Sequence, residues 1–349
     1  MHFLPRLAPS CSRLGTLRLR QTHVLPTNMA AVARAVQAAA RAGSRSMSTE
    51  VAGISKVGVV GLGLMGHGIA QVTAQKGFEV VAVEASEEAV SRGMGMIASS
   101  LNTVADRAVK KGKATQEAAD AETSAVLGRI STATDRGALA DCDLVIEAIV
   151  ENLDVKKELY TDLGRIVKPS GILATNTSSL NVGDMIEASG RGDKLVGLHY
   201  FNPVQIMQLV EVVRTDVTST ETFDAAMAFA QAQGKTAVAC TDTPGFIVNR
   251  LLVPYMAQAI ALFDRGVGSK ADIDKAMQLG CGYPMGPLTL ADYVGLDTCL
   301  FILQGWVQQF PEDPAFFVPP LLESMVAEGK LGRKSGQGFY TWKGNKVVG

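Results

Sequence analysis

The sequence has few cysteines, and their arrangement gives no sign of a metal site or a disulfide framework. The five cysteines form no CxxC pair and no zinc-like spacing with the four histidines. The chain also lacks an uninterrupted run of about eighteen apolar residues, the length that a membrane-spanning helix requires. We therefore expect a protein without a bound metal and without a membrane span.

Neither sign of charge predominates in the chain. Lysine and arginine total 33 against 34 acidic residues, which excludes the strong overall field expected of a protein that binds nucleic acid or an anionic membrane. The composition, 47% hydrophobic and 19% charged, is typical of a globular protein with a well-buried core. A length of 349 residues exceeds one ordinary compact core, so we expect two domains after any leader.

Acidic residues are absent from the start of the chain. None precedes Glu50, whereas seven arginines are scattered there among Ala, Leu and Ser. This composition is typical of an organellar transit peptide. We predict that residues 1–48 are a transit peptide and, because arginine is abundant while the enrichment in Ser and Thr is modest, that the destination is the mitochondrial matrix. The alternatives are a disordered tail or a true start at Met29 or Met47.

A glycine-rich motif, Gly61-Leu62-Gly63-Leu64-Met65-Gly66, follows the apolar run 56–60 and precedes a helix-like segment. Strand, glycine turn and helix are the context that a dinucleotide site requires. Gly61 allows the tight turn, Gly63 lets the backbone approach a pyrophosphate, and Gly66 lets the helix pack closely on the strand. The helix N-terminus then favours the phosphate charge. The predicted cofactor contacts in this motif are Gly61, Leu62, Gly63, Met65 and Gly66.

A carboxylate follows the next predicted strand. Residues 77–83 form an apolar run that ends at Glu84, about twenty residues beyond the glycines, where an acid accepts hydrogen bonds from the adenine ribose. Glu84 would also repel a 2′-phosphate. The pattern therefore favours NAD over NADP, and the alternative is an ordinary solvated glutamate at a strand end.

Further strands and helices alternate downstream. Residues 142–149 and 171–176 resemble buried parallel strands, and the helix-like segment 155–167 separates them. This alternation predicts an α/β fold with a Rossmann-like, doubly wound sheet. Residues 87–129 are long, polar and helical in character, and we predict a helical excursion from the sheet there. Its lysine cluster, Lys110, Lys111 and Lys113, is equally typical of a solvated charged face.

One histidine lies where it could act as a base. Residues 195–203 run from an apolar strand through His199 into a proline-containing loop, and residues 204–213, with Glu211, resemble a second strand. If the two strands are neighbours, His199 and Glu211 can meet. A carboxylate on one ring nitrogen fixes the tautomer and makes the other nitrogen a better base. The alternatives are a structural histidine and an exposed glutamate.

Five motifs, in order, closely resemble those of the L-3-hydroxyacyl-CoA dehydrogenase family, and the resemblance covers residues 54–342. They are EAIVEN at 147–152, NTSSL at 176–180, HYFNP at 199–203, DTPGFIVNR at 242–250 and GYPMGP at 282–287. The resemblance implies that His199 is the catalytic base and Glu211 its orienting partner. It also implies that Ser178 and Asn249 hold the reacting oxygen of the substrate.

The same resemblance implies the remaining ligand contacts. Asn202 and Ser178 would contact the nicotinamide side, and Glu151, Lys156 and Lys334 would contact NAD. In the helical excursion, Ser100 and Arg107 match positions that contact CoA in the family. Relatives carry a lysine where this chain has Arg107. The positive charge is kept, but a compact ammonium group is replaced by a planar guanidinium group.

From residue 243 onward the pattern changes to helical spacing, as in 251–263, 270–279 and 320–328. We predict an NAD-binding domain over residues 49–241 and an all-helical domain over residues 242–349. By itself the second domain could be a structural cap. The resemblance implies instead that it closes over the acyl-CoA and forms most of a homodimer interface.

The function implied by the resemblance is NAD-dependent oxidation of (S)-3-hydroxyacyl-CoA to 3-ketoacyl-CoA, a step of fatty acid β-oxidation. Two alternatives stay open. One is an NAD-dependent dehydrogenase of a free 3-hydroxy acid, which would ignore CoA. The other is a non-enzymatic relative that kept the fold and the dinucleotide pocket.

Overall fold

The computed structural model describes residues 49–348, so the predicted transit peptide, residues 1–48, lies outside the described part of the chain. Eight strands form one sheet in the order β3-β2-β1-β4-β5-β6-β7-β8. Their bounds are β1 Lys56–Val60, β2 Glu79–Val83, β3 Ile130–Ala133, β4 Leu144–Glu147, β5 Ile172–Thr175, β6 Leu195–Tyr200, β7 Leu209–Arg214 and β8 Thr236–Thr241.

The sheet is parallel from β3 to β6 and reverses once. β7 pairs antiparallel with β6, and β8 pairs parallel with β7. Leu144 and Ile146 of β4 pack into a core on one face, whereas Val145 packs into a core on the other. Both faces are therefore buried, as expected for strands rich in Val, Ile and Leu in a doubly wound sheet. This confirms the predicted fold class.

Six α-helices accompany the sheet among the described residues, and the sequence predicts the first four of them. They are α1 Gly66–Gln75, α2 Glu87–Lys110, α3 Gln116–Gly128, α4 Leu153–Ile166, α5 Ile186–Ser189 and α6 Thr220–Ala232. The excursion between β2 and β3 is the pair α2 and α3, which pack against each other. Ser86 caps α2 through a side-chain hydrogen bond from Ala89 N, and Thr115 caps α3 in the same way from Ala118 N.

One predicted strand is shorter than expected. The sequence indicates a strand over residues 204–213, but β7 begins only at Leu209. The segment before it forms a turn in which Ile206 N and Met207 N both donate to Pro203 O. Lys235 Nζ donates to Val204 O and Met207 O and fixes that turn from across the fold.

Five helices follow the sheet and share a third core. They are α7 Val248–Asp264, α8 Lys270–Cys281, α9 Pro287–Val294, α10 Leu296–Gln309 and α11 Pro320–Ala327. The tail adds a two-stranded hairpin, β9 Trp342–Lys343 and β10 Lys346–Val347. The sequence predicts an all-helical region here, and the hairpin is the exception. The buried Asp292 carboxylate fixes the tail by accepting from Phe339 N, Tyr340 N and Trp342 Nε1. No helix within residues 49–348 is long and apolar enough to cross a bilayer.

Candidate active site

The glycine loop between β1 and α1 has the backbone geometry that a dinucleotide requires. Gly61 has a φ of +92°, and a Cβ at Gly66 would lie 1.7 Å from Gly61 O, so only glycine fits there. A Cβ at Gly63 would meet nothing within 4 Å, which leaves the backbone open on that side. The loop and the first N–H groups of α1 therefore fit a pyrophosphate.

Glu84 lies directly beside this loop, at the end of β2. One oxygen of its carboxylate accepts from Leu62 N and the other from Ala85 N. The side chain is half-buried, so lone pairs of the carboxylate stay accessible from the cleft. This arrangement fits an acceptor for ribose hydroxyls and places a negative charge where a 2′-phosphate would have to lie.

His199 and Glu211 meet across the single antiparallel pair of the sheet. They are directly opposed in register, and His199 Nδ1 lies 2.7 Å from Glu211 Oε2. Both side chains are buried, and the imidazole packs against the rings of Phe201 and Phe246. Because a carboxylate only accepts, the nitrogen facing Glu211 carries the proton, which leaves Nε2 as the free acceptor.

The second oxygen of Glu211 binds the helical half of the chain. Oε1 accepts from Ile247 N at 3.0 Å and from Val248 N at 2.9 Å, which are the first backbone donors of α7. An anion at a helix N-terminus is favourable because those donors have no partner within the helix. The orientation of the carboxylate is therefore fixed by both halves of the molecule.

The loop after β5 carries Ser178 and contacts α7. Asn249, in the first turn of α7, donates from Nδ2 to Ser178 O at 3.2 Å, so the structure brings these two predicted site residues together. Ser178 is exposed, and Asn249 is half-buried. Asn249 directly follows Val248, whose N–H binds Glu211, so the contact between Asn249 and the Ser178 loop lies next to the buried pair. An amide and a hydroxyl are suitable side chains for binding a carbonyl or hydroxyl oxygen.

Glu151 organises the same loop. Its Oε1 accepts from Thr177 Oγ1, from Ser178 N at 2.9 Å and from Ser179 N at 3.1 Å. Burial would raise the pKa of Glu151, but the Lys156 ammonium and these donors outweigh it and hold the pKa below its usual range. Glu151 is therefore a stable anion that binds three successive residues.

Lys156 is buried rather than presented to the cleft. Its side chain is 1% exposed, and its Nζ lies 2.6 Å from Glu147 Oε1 and 3.2 Å from Glu151 Oε2. Sequence reasoning did not assign Glu147, although a glutamate at the end of an apolar strand is a signal for a paired buried charge. The expected contact of Lys156 with NAD stays a prediction.

The remaining predicted residues lie further apart. Asn202 is exposed just after β6, and Ser100 and Arg107 lie seven residues apart on one face of α2. Lys334 Nζ is 2.5 Å from Asp297 Oδ2 in the helical half. Among residues 49–348, no hydrogen bond joins these four side chains to the dyad, and no group of three or more His, Cys, Asp or Glu side chains could hold a metal ion.

Comparison with known proteins identifies the two halves separately. Residues 56–243 match the family model of the 3-hydroxyacyl-CoA dehydrogenase NAD binding domain, and residues 245–342 match that of the 3-hydroxyacyl-CoA dehydrogenase C-terminal domain. The mitochondrial hydroxyacyl-coenzyme A dehydrogenase of Rattus norvegicus is 49% identical over 291 residues, which cover 83% of this chain and 92% of the relative.

Bacterial relatives are similarly close. A probable 3-hydroxybutyryl-CoA dehydrogenase of Deinococcus radiodurans is 49% identical over 287 residues, covering 82% of this chain and all of the relative. The crystal structure of (S)-3-hydroxybutyryl-CoA dehydrogenase from Ralstonia eutropha aligns with a TM-score of 0.78 at 41% identity, covering 83% of this chain and 99% of that one. The chain therefore belongs to the 3-hydroxyacyl-CoA dehydrogenase family.

Proposed function

We propose that the protein oxidises (S)-3-hydroxyacyl-CoA to 3-ketoacyl-CoA with NAD, as a step of fatty acid β-oxidation. The observation that carries this proposal is the buried His199–Glu211 pair, 2.7 Å apart, next to the contact between Asn249 and the Ser178 loop. A base oriented by a carboxylate is the group that removal of a hydroxyl proton requires. When bound, NAD supplies the hydride acceptor.

The side chains of the cleft have separate tasks in this proposal. Nε2 of His199 accepts the proton of the 3-hydroxyl group, and Glu211 stabilises the imidazolium that forms. Ser178 and Asn249 hold the reacting oxygen by hydrogen bonds. Phe201 and Phe246 keep the imidazole in an apolar environment, which strengthens its interaction with Glu211.

The cofactor would be held mainly by the sheet half. We assign the pyrophosphate to the glycine loop and the adenine ribose to Glu84. Asn202, Glu151, Lys156 and Lys334 would make the further contacts to NAD, as the family resemblance implies. Lys334 would then have to leave Asp297 or share its charge with it.

The thioester arm would lie along the helical excursion. Ser100 and Arg107 share a face of α2, and the exposed Arg107 guanidinium suits a phosphate of CoA. Binding of this remote arm would position C3 near His199, so a free hydroxy acid should be a much poorer substrate.

A direct assay tests this function. Purified protein lacking residues 1–48 is mixed with NADH and acetoacetyl-CoA, then with free acetoacetate, and then with NADPH in place of NADH. We expect rapid loss of NADH with the thioester and little turnover in the other two mixtures. Loss of NADH with the free acid instead would identify a free-acid dehydrogenase. NADH binding without turnover would identify a non-enzymatic relative.

We also propose a homodimer formed through the helical domain, residues 242–349, with residues 49–241 as the NAD-binding domain. Large apolar side chains are exposed in the helical half, including Leu279 at 78%, Phe301 at 71% and Leu251 at 69%. Burial of such side chains in a second subunit would be favourable. Sedimentation at micromolar concentration should give twice the chain mass, and a monomer there would contradict the proposal.

We propose the mitochondrial matrix as the location. The support is the arginine-rich, acid-free composition of residues 1–48, together with relatives whose names include the word mitochondrial. Full-length chain incubated with energised mitochondria should be shortened and protected from protease. Persistence of the full-length, protease-sensitive form would contradict this location.

A further inference from the structure

A buried polar network begins at Glu147, which the reaction proposed above does not use. Glu147 is the last residue of β4, and its side chain is fully buried. Its Oε1 accepts from Lys156 Nζ at 2.6 Å and from Ile149 N at 2.8 Å, and its Oε2 accepts from Thr175 Oγ1 at 2.8 Å. Both carboxylate oxygens are thus fully engaged inside the protein.

Two separate routes lead from this carboxylate to the Ser178 loop. The first passes through Lys156 Nζ to Glu151, whose Oε1 accepts from Ser178 N and Ser179 N. The second passes through the hydroxyl of Thr175, which also accepts from Thr177 N at 3.2 Å. The loop is therefore connected on both sides to a single buried group.

The network contains more polar groups than packing requires. It buries the Glu147 carboxylate and the Lys156 ammonium where the neighbouring strand positions are apolar, and it ends at Glu151, whose side chain is 33% exposed. Charges taken out of water cost stability unless they are paired, and apolar side chains of similar size often replace such groups without loss of stability. A role in orientation accounts for its presence better than a role in stability does.

We propose that Glu147 is a positioning residue that sets the conformation of residues 176–179, and with it the orientation of Ser178 toward the substrate oxygen. This inference rests on the proposed function for the meaning of Ser178. The loop also presents Ser178 O to Asn249, so the same network fixes the register between the loop and the first turn of α7. Glu147 itself touches neither substrate nor cofactor.

Two kinds of variant test the proposal. Glu147→Gln keeps the shape of the side chain but removes the negative charge that pairs with Lys156 Nζ, and it reverses the hydrogen bond with the Thr175 hydroxyl. Thr175→Val breaks only the second route, whereas Thr175→Ser keeps the hydroxyl and serves as its matched control. Ile130→Ala, at a buried position of the edge strand β3, controls for a general loss of stability.

Two readouts separate orientation from stability. We expect Glu147→Gln and Thr175→Val to lower kcat with acetoacetyl-CoA by about 10- to 100-fold. Thr175→Val leaves the ion pairs of Lys156 in place, so it should change the Kd for NADH by less than about threefold. Hydrogen exchange in the wild-type holoenzyme should show protection of the Ser178 and Ser179 amides, and Glu147→Gln should reduce it at least about tenfold. Thr175→Ser and Ile130→Ala should keep both kcat and this protection.

The proposal is overturned if Glu147→Gln loses as much thermal stability as Ile130→Ala does but keeps the wild-type kcat and the wild-type protection of residues 178 and 179. Failure of the proposed function would look different, because the wild-type protein would then fail to turn over acetoacetyl-CoA. The exchange measurement does not depend on turnover. It therefore tests the control of the loop by Glu147 in either case.

Discussion

Glu211 binds His199 with one carboxylate oxygen and the first turn of α7 with the other. Nδ1 of the imidazole lies 2.7 Å from Oε2, while Oε1 accepts two backbone N–H groups at residues 247 and 248. The orientation of the proposed base therefore depends on whether α7 is in place. Loss of either contact would free the carboxylate to rotate.

We expect Glu211→Gln to inactivate the base without removing its contact to α7. The backbone N–H groups of Ile247 and Val248 both need an acceptor, whereas only His199 Nδ1 faces the opposite side of the residue 211 side chain. The amide oxygen of the glutamine should therefore turn toward α7. The amide NH₂ then faces Nδ1 and favours the tautomer in which Nε2 carries the proton. Turnover should fall by about 10²–10⁴-fold, measured as kcat with acetoacetyl-CoA and NADH. A fall of less than threefold would show that Glu211 does not set the tautomer.

We expect His199→Ala to lower turnover by about 10²–10⁴-fold and to leave NAD affinity nearly unchanged. The reason is that the imidazole is buried beside Glu211 and Phe246, whereas the glycine loop and Glu84 lie at a different part of the sheet edge. Fluorescence titration with NADH measures the affinity, and steady-state kinetics measures the turnover. Loss of NADH binding together with turnover would mean that His199 is structural.

We expect two glycine substitutions in the same loop to differ. In Gly66→Ala the new Cβ meets Gly61 O. The free energy of unfolding should therefore decrease by about 1–3 kcal/mol, and NADH binding should weaken as well. In Gly63→Ala the free protein has room for the methyl group, so only NADH binding should weaken, by about tenfold or more. Thermal denaturation and titration of both variants check this. Equal loss of stability would contradict the open approach at Gly63.

The stabilisation contributed by Glu151 should depend on pH in a defined direction. Its pKa in the folded protein is below the ordinary value of 4.5, so its contribution is fully present above about pH 4.5. As the pH falls through the lowered pKa, the carboxylate takes up a proton and that contribution is lost. Glu151→Gln should therefore destabilise the protein by about 1–3 kcal/mol near neutral pH, and the difference from wild type should shrink in acid. A difference that grows toward acid would contradict the sign of the shift.

The sequence predicts the sheet half well because its signals are local. The glycine motif and the apolar runs of β1, β4 and β5 each specify structure within a few residues. The His199–Glu211 pair was also predictable. These two residues are only twelve apart in the chain, so a single chain reversal between neighbouring strands brings them together.

Features set by distant parts of the chain were not predictable in this way. The turn at residues 204–208 replaces a predicted strand because Lys235 binds its carbonyl groups from β8's side of the sheet. β8 itself was missed, since its residues are mostly small and none of them is buried, which gives a weak pattern. Nothing in the sequence alone shows that Lys156 would be enclosed between Glu147 and Glu151, because that depends on how α4 packs on the sheet.

The antiparallel pairing of β6 and β7 has a consequence for the order in which the molecule assembles. Only twelve residues separate His199 from Glu211, whereas thirty-six separate Glu211 from Ile247 and eighty-seven separate Lys56 from Asp143. Closing a short loop costs less conformational entropy than closing a long one, and local contacts form faster. Sequence separation thus favours an early meeting of the imidazole and the carboxylate, and a later docking of α7 on that pair. The proposed reaction requires both halves of the chain, but the His199–Glu211 pair on which it depends forms within the sheet half alone.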